Sequence, residues 1–219
     1  MFIRRAALAA VLALAYGSAA QAITIDYETL SDQSSAFITQ VAGGVTVTAE
    51  GFGGVGNPQG SMTPTGTPGG FSNINVNIGG SGFFGTRGLG CGAVASQCDL
   101  IAPIGEDVLR LTFSDAVQID AITIAAMEDA DDVSWWYWNG GSYQLAGQDT
   151  CGLFSFCGGN ETFTGPFGAP STSWLVIAEN SGATAFAVRS IAFTAFPVPE
   201  PSSALLLAPV LLGLVRRAR

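Results

Sequence analysis

The chain has 219 residues, with 17 acidic side chains against 8 basic ones, a formal charge of −9 and no histidine. An acidic surface repels phosphate backbones, which counts against nucleic-acid binding. Without imidazole, Ser-His-Asp and Cys-His catalysis, histidine metal sites and the usual neutral-pH general base are excluded, and only carboxylate-pair chemistry such as glycoside hydrolysis stays open to an enzyme.

Met1 to Arg5 gives a positively charged start, Ala6 to Ala15 an apolar run of secretory length, and Ala20-Gln21-Ala22 small residues at the positions a signal peptidase reads. This pattern predicts a helical signal peptide over residues 1–22, cleaved after Ala22. Residues 23–197 then form one domain, long enough to bury a core. All eight basic residues are arginines, and that domain keeps only Arg87, Arg110 and Arg189.

Val45-Thr-Val-Thr-Ala49 alternates with the period of a strand. Residues 51–90 hold fourteen glycines together with Pro58, Pro64 and Pro68. Such a composition predicts long loops, with one strand over residues 71–78, where Ile74, Val76 and Ile78 alternate with asparagines. The four cysteines fall in two close pairs, Cys91 with Cys98 and Cys151 with Cys157. An exported chain meets an oxidising compartment, so disulfides are expected. Four cysteines permit three connectivities, of which local pairing is the simplest. A zinc site lacks the two-residue gap typical of thiolate ligands.

Further alternation follows at Leu109, Leu111 and Phe113, at Ile122 and Ile124, and at Trp174, Val176 and Ala178. The last run, residues 186–196, changes parity between Val188 and Ile191, which predicts a β-bulge. Many short strands between Gly, Asn, Asp and Pro clusters predict an all-β sandwich or jelly roll.

Two stretches could carry binding. Glu128, Asp129, Asp131 and Asp132 put four carboxylates into five residues, an oxygen-rich loop that suits Ca2+, although the spacing is not that of an EF-hand. Trp135-Trp136-Tyr137-Trp138, with Tyr143 beyond a turn, forms an aromatic strand. Val133, Trp135 and Tyr137 share one face, which the aliphatic residue marks as core. Ser134, Trp136 and Trp138 share the other, which the serine marks as outward. Exposed Trp136 and Trp138, with Tyr143, would make a platform for the C–H faces of sugars; burial under the glycine-rich loops is the alternative. With no basic groove beside them, these aromatics are unsuited to single-stranded nucleic acid.

The chain closes with Pro199-Glu200-Pro201, an apolar run from Ala204 to Val215 interrupted by Pro209, and the cluster Arg216, Arg217 and Arg219. That run of twelve residues is shorter than the roughly 20 a spanning helix needs. Arginines at both extremes stay cytoplasmic by the positive-inside rule, placing the domain across the membrane. The pattern of residues 198–219 resembles the PEP-CTERM sorting signal of exported bacterial proteins, a tail also labelled as an ice-binding protein C-terminal domain. Gly88-Leu-Gly90, Gly105 to Phe113, Asp131-Asp132 and the run over residues 186–196 look like the cargo domain of many such proteins. The resemblance implies a short hydrophobic helix at the C-terminus, processing by an exosortase-type membrane enzyme, and delivery to the cell surface or an exopolysaccharide matrix. Thr-x-Thr occurs only once, at Thr46 and Thr48, so no ice-binding activity is carried over. The function expected is that of a non-enzymatic surface or matrix protein with a glycan-binding option. The alternatives are a polysaccharide hydrolase using two of Asp120, Glu128, Asp129, Asp131 and Asp132, or a pure spacer or adhesin.

Overall fold

The runs in which apolar and polar residues alternate, such as Val45–Ala49, Leu109–Phe113 and Ile122–Ile124, pair with other runs as strands. The computed structural model describes residues 22–54, 58–67, 69–80, 87–91, 98–99, 106–127, 132–150, 159–179 and 185–196. The expected signal peptide up to residue 21, the tail over residues 198–219, and Glu128, Asp129, Asp131, Cys151 and Cys157 lie outside them.

The described strands are β1 (Ala22–Asp26), β2 (Gln33–Ser35), β3 (Phe37–Ala42), β4 (Val45–Gly54), β5 (Phe71–Ile74), β6 (Val76–Gly80) and β7 (Arg87–Cys91). After them come β8 (Cys98–Asp99), β9 (Glu106–Met127), β10 (Asp132–Trp138), β11 (Tyr143–Thr150), β12 (Gly159–Glu179) and β13 (Ala185–Phe196). All their pairings are antiparallel. The one α-helix among the described residues, α1 (Pro58–Ser61), is a single turn. The protein is an all-β sandwich.

Two long strands build both layers. The first half of β9 pairs with β4 through Glu106–Phe113, and its second half pairs with β13 through Ala116–Ala125. On its other side β9 keeps β12 throughout, with register shifts between Thr164 and Ser173 where the chain bends. One layer therefore runs β11-β10-β12-β9-β4, with β3 and β5 on the far side of β4. The other runs β12-β9-β13, continuing through β7, β6 and β2, with β1 also on β13. Between the layers lies the main core, including Val47, Leu109, Leu111, Trp135, Trp174, Ile122, Val188 and Phe193. Phe113 and Phe193 meet edge to face across it, 5.3 Å between ring centres.

The parity change expected in the last run is a bulge in β13, with a register shift between Val188 and Ser190. Val188 and Ile191 are both buried as a result. At the β3–β4 hairpin, Gly43 and Gly44 have φ of 56° and 82°, the left-handed pair a two-residue turn requires.

The long loops expected over residues 51–90 are observed in part: residues 62–67 and 69–70, between α1 and β5, are irregular, while the same span also supplies the end of β4, α1, β5, β6 and β7. The strand expected over residues 71–78 breaks at Asn75, because β5 pairs with β4 in one layer while β6 pairs with β7 and β2 in the other. The glycines serve close approach. A Cβ on Gly51 would stand 2.8 Å from Cys91 Cβ in the facing layer, and one on Gly54 would stand 2.3 Å from the Gly70 carbonyl oxygen. Gly54→Ala is expected to destabilise the fold by about 2 kcal/mol, since backbone on the neighbouring strand has to move. A Cβ on Gly69 meets nothing within 4 Å, so Gly69→Ala is expected to be neutral or slightly stabilising. Paired urea melts of the two variants check this.

Candidate functional site

The outer face of the first layer gathers the aromatic strand, a second core and a buried arginine. Because side chains alternate, the strands that send Ala49, Leu109 and Leu111 inward send Glu50, Phe52, Val108, Arg110 and Thr112 outward. β12 adds Ser173, Leu175 and Ile177 to this face, and β10 adds Ser134, Trp136 and Trp138. In an ordinary two-layer sandwich such a face is polar. Here Phe52, Met62, Phe71, Val108, Tyr143, Leu175 and Ile177 form a second core, with Trp136 and Trp138 packed half-buried against it. Met62, immediately after α1, is 3 % exposed and belongs to the segment that covers this core.

Arg110 holds that segment down. Its Nε and Nη2 donate to Glu50 Oε2 at 3.1 and 2.8 Å, and its Nη1 donates to the carbonyls of Thr63 and Gly66 at 3.0 and 2.7 Å. The guanidinium also stacks over the Phe52 ring, 4.6 Å from its centre. The Arg110 residue is 2 % exposed, a burial that arginine tolerates when its charge and donors are matched. Nothing in the periodicity of residues 109–113 set Arg110 apart from any outward polar residue. Its rarity was the available signal, as one of three arginines between residues 23 and 197.

For the aromatic strand, burial under the glycine-rich span is nearer the structure than an exposed platform. Val133 and Trp135 do face the main core. Ser134, however, is fully buried and accepts a hydrogen bond from Trp136 Nε1 at 2.7 Å, so the serine does not mark an outward face. It stands opposite Ile177 of the second core, and the neighbouring Trp136 indole bonds its hydroxyl. Tyr143 is 4 % exposed, and its hydroxyl shares a 2.6 Å hydrogen bond with Ser173 Oγ. It presents no stacking face. Its ring meets Trp138 edge to face at 5.2 Å. What remains accessible is the outer part of Trp136 and Trp138, with Leu145, paired opposite Trp136, 46 % exposed beside them. The turn next to them is closed by its own hydrogen bonds, as Asn139 Oδ1 accepts from the backbone N–H groups of Gly141 and Ser142.

Burial holds the Tyr143 phenol above its ordinary value of 10.0, an effect the Ser173 hydrogen bond and the Arg110 charge partly offset. Burial also raises Tyr27, more strongly. A phenol that resists ionising only when folded adds stability below the unfolded value, and that stability is lost as pH rises through the folded one. Unfolding midpoints are therefore expected to be flat up to about pH 10 and to fall above it. Tyr143→Phe should shallow that alkaline slope and cost about 1 kcal/mol at neutral pH, because Ser173 loses its partner. Urea melts from pH 7 to 11 read both effects.

Of the other candidate residues, Asp132 is described only as the backbone start of β10, and its three acidic neighbours lie outside the description. Among the described residues no group of three or more His, Cys, Asp or Glu side chains is placed to hold a metal. Asp120, a candidate for the hydrolase reading, accepts a 2.7 Å hydrogen bond from Thr194 on the second layer. Cys91 is disulfide-bonded, and its partner lies outside the described side chains. Pro199, Glu200, Pro201, Arg216, Arg217 and Arg219, the residues of the expected sorting signal, also lie outside. No family model matches the chain, and no curated protein matches it.

Proposed function

We propose that this chain is an exported, non-enzymatic component of the cell surface or extracellular matrix, sorted through its tail by an exosortase-type membrane enzyme. The observation that carries this reading is the three-part pattern of residues 199–219: Pro-Glu-Pro, a proline-broken apolar run too short to span, and closing arginines. A second support is composition, since a domain without histidine has few routes to catalysis. Any glycan contact falls on the accessible parts of Trp136 and Trp138, with Leu145 beside them; Tyr143 acts behind them as support. Local disulfides, Cys91 with Cys98 and Cys151 with Cys157, complete the exported form. Any Ca2+ would be taken by Glu128, Asp129, Asp131 and Asp132.

Two experiments test this. Replacing Pro199-Glu200-Pro201 by alanines in the producing cell should leave the protein membrane-held and unprocessed, read by fractionation and intact mass. Normal delivery of that variant would remove the sorting reading. A glycan array with the mature protein, with and without Ca2+, addresses the ligand. Binding that falls at least tenfold in Trp136→Ala or Trp138→Ala supports the platform; no binding in any condition leaves a purely structural surface protein.

A further inference from the structure

The two side edges of the first layer are built differently. β11, at one edge, carries Asp149, and its pairing with β10 is broken by a register shift between Trp135 and Trp136. Bulges and charges are the usual protections of an exposed edge. β3, at the other edge, has neither. Its sequence is Phe-Ile-Thr-Gln-Val-Ala, without charge, proline or glycine, and all six residues pair with β4 in unbroken register from Phe37↔Glu50 to Ala42↔Val45. Among the described residues β3 pairs with no other strand. Every second residue of such a strand points its N–H and C=O away from its neighbour. Phe37 and Val41 lie on the outer face at 58 % and 69 % exposure, the two most exposed large apolar side chains described.

We propose that β3 is a self-association edge, pairing antiparallel with β3 of a second copy of this chain in a register centred on Thr39. The occupant follows from the strand's own pattern. A two-fold axis at Thr39 sets Phe37 opposite Val41 of the second copy, and Val41 opposite its Phe37, so that each of the four exposed apolar side chains gains an apolar neighbour on the same face. Thr39 meets its own equivalent, and Ile38 meets Gln40. An axis between Thr39 and Gln40 would instead set outward Phe37 against inward Ala42, which the pleat forbids. Centred on Thr39, the pairing extends the row Thr39–Thr48–Thr112 across both copies. Aromatic–β-branched cross-strand pairs such as Phe–Val are among the favourable ones. β3 itself carries no charge, so two copies of an acidic protein can approach there without setting like charges directly opposite each other. A six-residue edge buries less than the roughly 1,600 Å² of a standard interface, so the dimer is weak and forms where the protein is concentrated.

The test uses the exported protein as recovered from the producing cell. Sedimentation from about 1 µM to 500 µM should show the mass rising towards twice the monomer, and Phe37→Lys or Val41→Lys should weaken dimerisation at least tenfold. Both positions are exposed, so near-UV circular dichroism should be unchanged in either variant. Thr39→Cys should form a disulfide dimer at least tenfold more readily than Thr24→Cys, an exposed control on β1. Val41→Cys alone should not, because its two copies stand about 13 Å apart along the strands. Mixing Phe37→Cys with Val41→Cys should cross-link the mixed pair. A monomer at every concentration, a dimer indifferent to both lysines, cross-linking of Thr39→Cys no better than the control, or its cross-linking to a different protein would each overturn the proposal. None of these outcomes touches the glycan reading, which rests on the opposite edge.

Discussion

Replacing Arg110 by methionine is expected to lower the unfolding free energy by about 3 kcal/mol, the lower end of the cost of breaking a buried ion pair. The lower end applies because Glu50 keeps 27 % of its side-chain surface in water. Methionine keeps the length of the arginine stem, so the loss reports on charge and hydrogen bonds more than on packing. Three groups lose their partner at once: the Glu50 carboxylate and the carbonyls of Thr63 and Gly66. Those carbonyls belong to the segment over the second core, so the variant should also loosen that segment. Trp136 and Trp138 fluorescence should shift to the red before global unfolding, and proteolysis should begin near Thr63. Arg110→Lys should recover less than half of the loss, since an ammonium cannot hold Glu50 through two donors while also reaching both carbonyls. Adding Glu50→Leu to Arg110→Met should restore part of the stability by removing the stranded charge. A loss under about 1 kcal/mol for Arg110→Met, in the range of an exposed pair, would show that the segment is held by Met62 and Phe71 alone.

Trp135→Ala is expected to cost about 4 kcal/mol, read from the urea midpoint at constant slope. The indole is 2 % exposed and fills the space between the layers, with Phe163 and Phe167 at 5.0 and 5.1 Å. Behind it Gly147 lies flat, where a Cβ would come within 2.6 Å of the indole ring. No neighbouring side chain on that flank can collapse into the space. Trp135→Phe should cost distinctly less than its lost volume suggests. Trp135 Nε1 is buried and finds no partner among the described residues, so the phenyl ring also removes an unpaired donor. If Trp135→Ala lost under about 2 kcal/mol, the second layer would not be packed on β10 as described.

These residues show how far local pattern reaches. Alternation at Val45–Ala49, Leu109–Phe113 and Ile122–Ile124 suffices to predict strands, because each of those runs has one face that is plainly apolar. The parity change between Val188 and Ile191 was legible for the same reason: both residues had to be buried, and only an extra residue between them allows it. The glycine-rich span was read as loops because composition records missing side chains without recording why they are missing. Gly51 and Gly54 are bare because another strand passes within van der Waals contact, and that strand is known only once the sheet is assembled. Ser134 and Tyr143 could be read as outward or as buried under the glycine-rich span, and their burial, with Met62 and Phe71 of that span in the same core as Tyr143, matches the second reading. A polar residue on an alternate face suggests water, yet a neighbouring side chain can satisfy a hydroxyl as water does.

The sequence by itself determined that this protein is made of strands, which side chains share each face, that its surface is acidic, and that imidazole chemistry is closed to it. Only the tertiary structure decided that the outer face of the first layer is covered in part, that one arginine ties the cover down, and that one edge is left without bulge or charge. The physical reason is separation along the chain. Periodicity is a property of neighbours in sequence, whereas Arg110 and Glu50 are sixty residues apart and meet only when β4 and β9 pair.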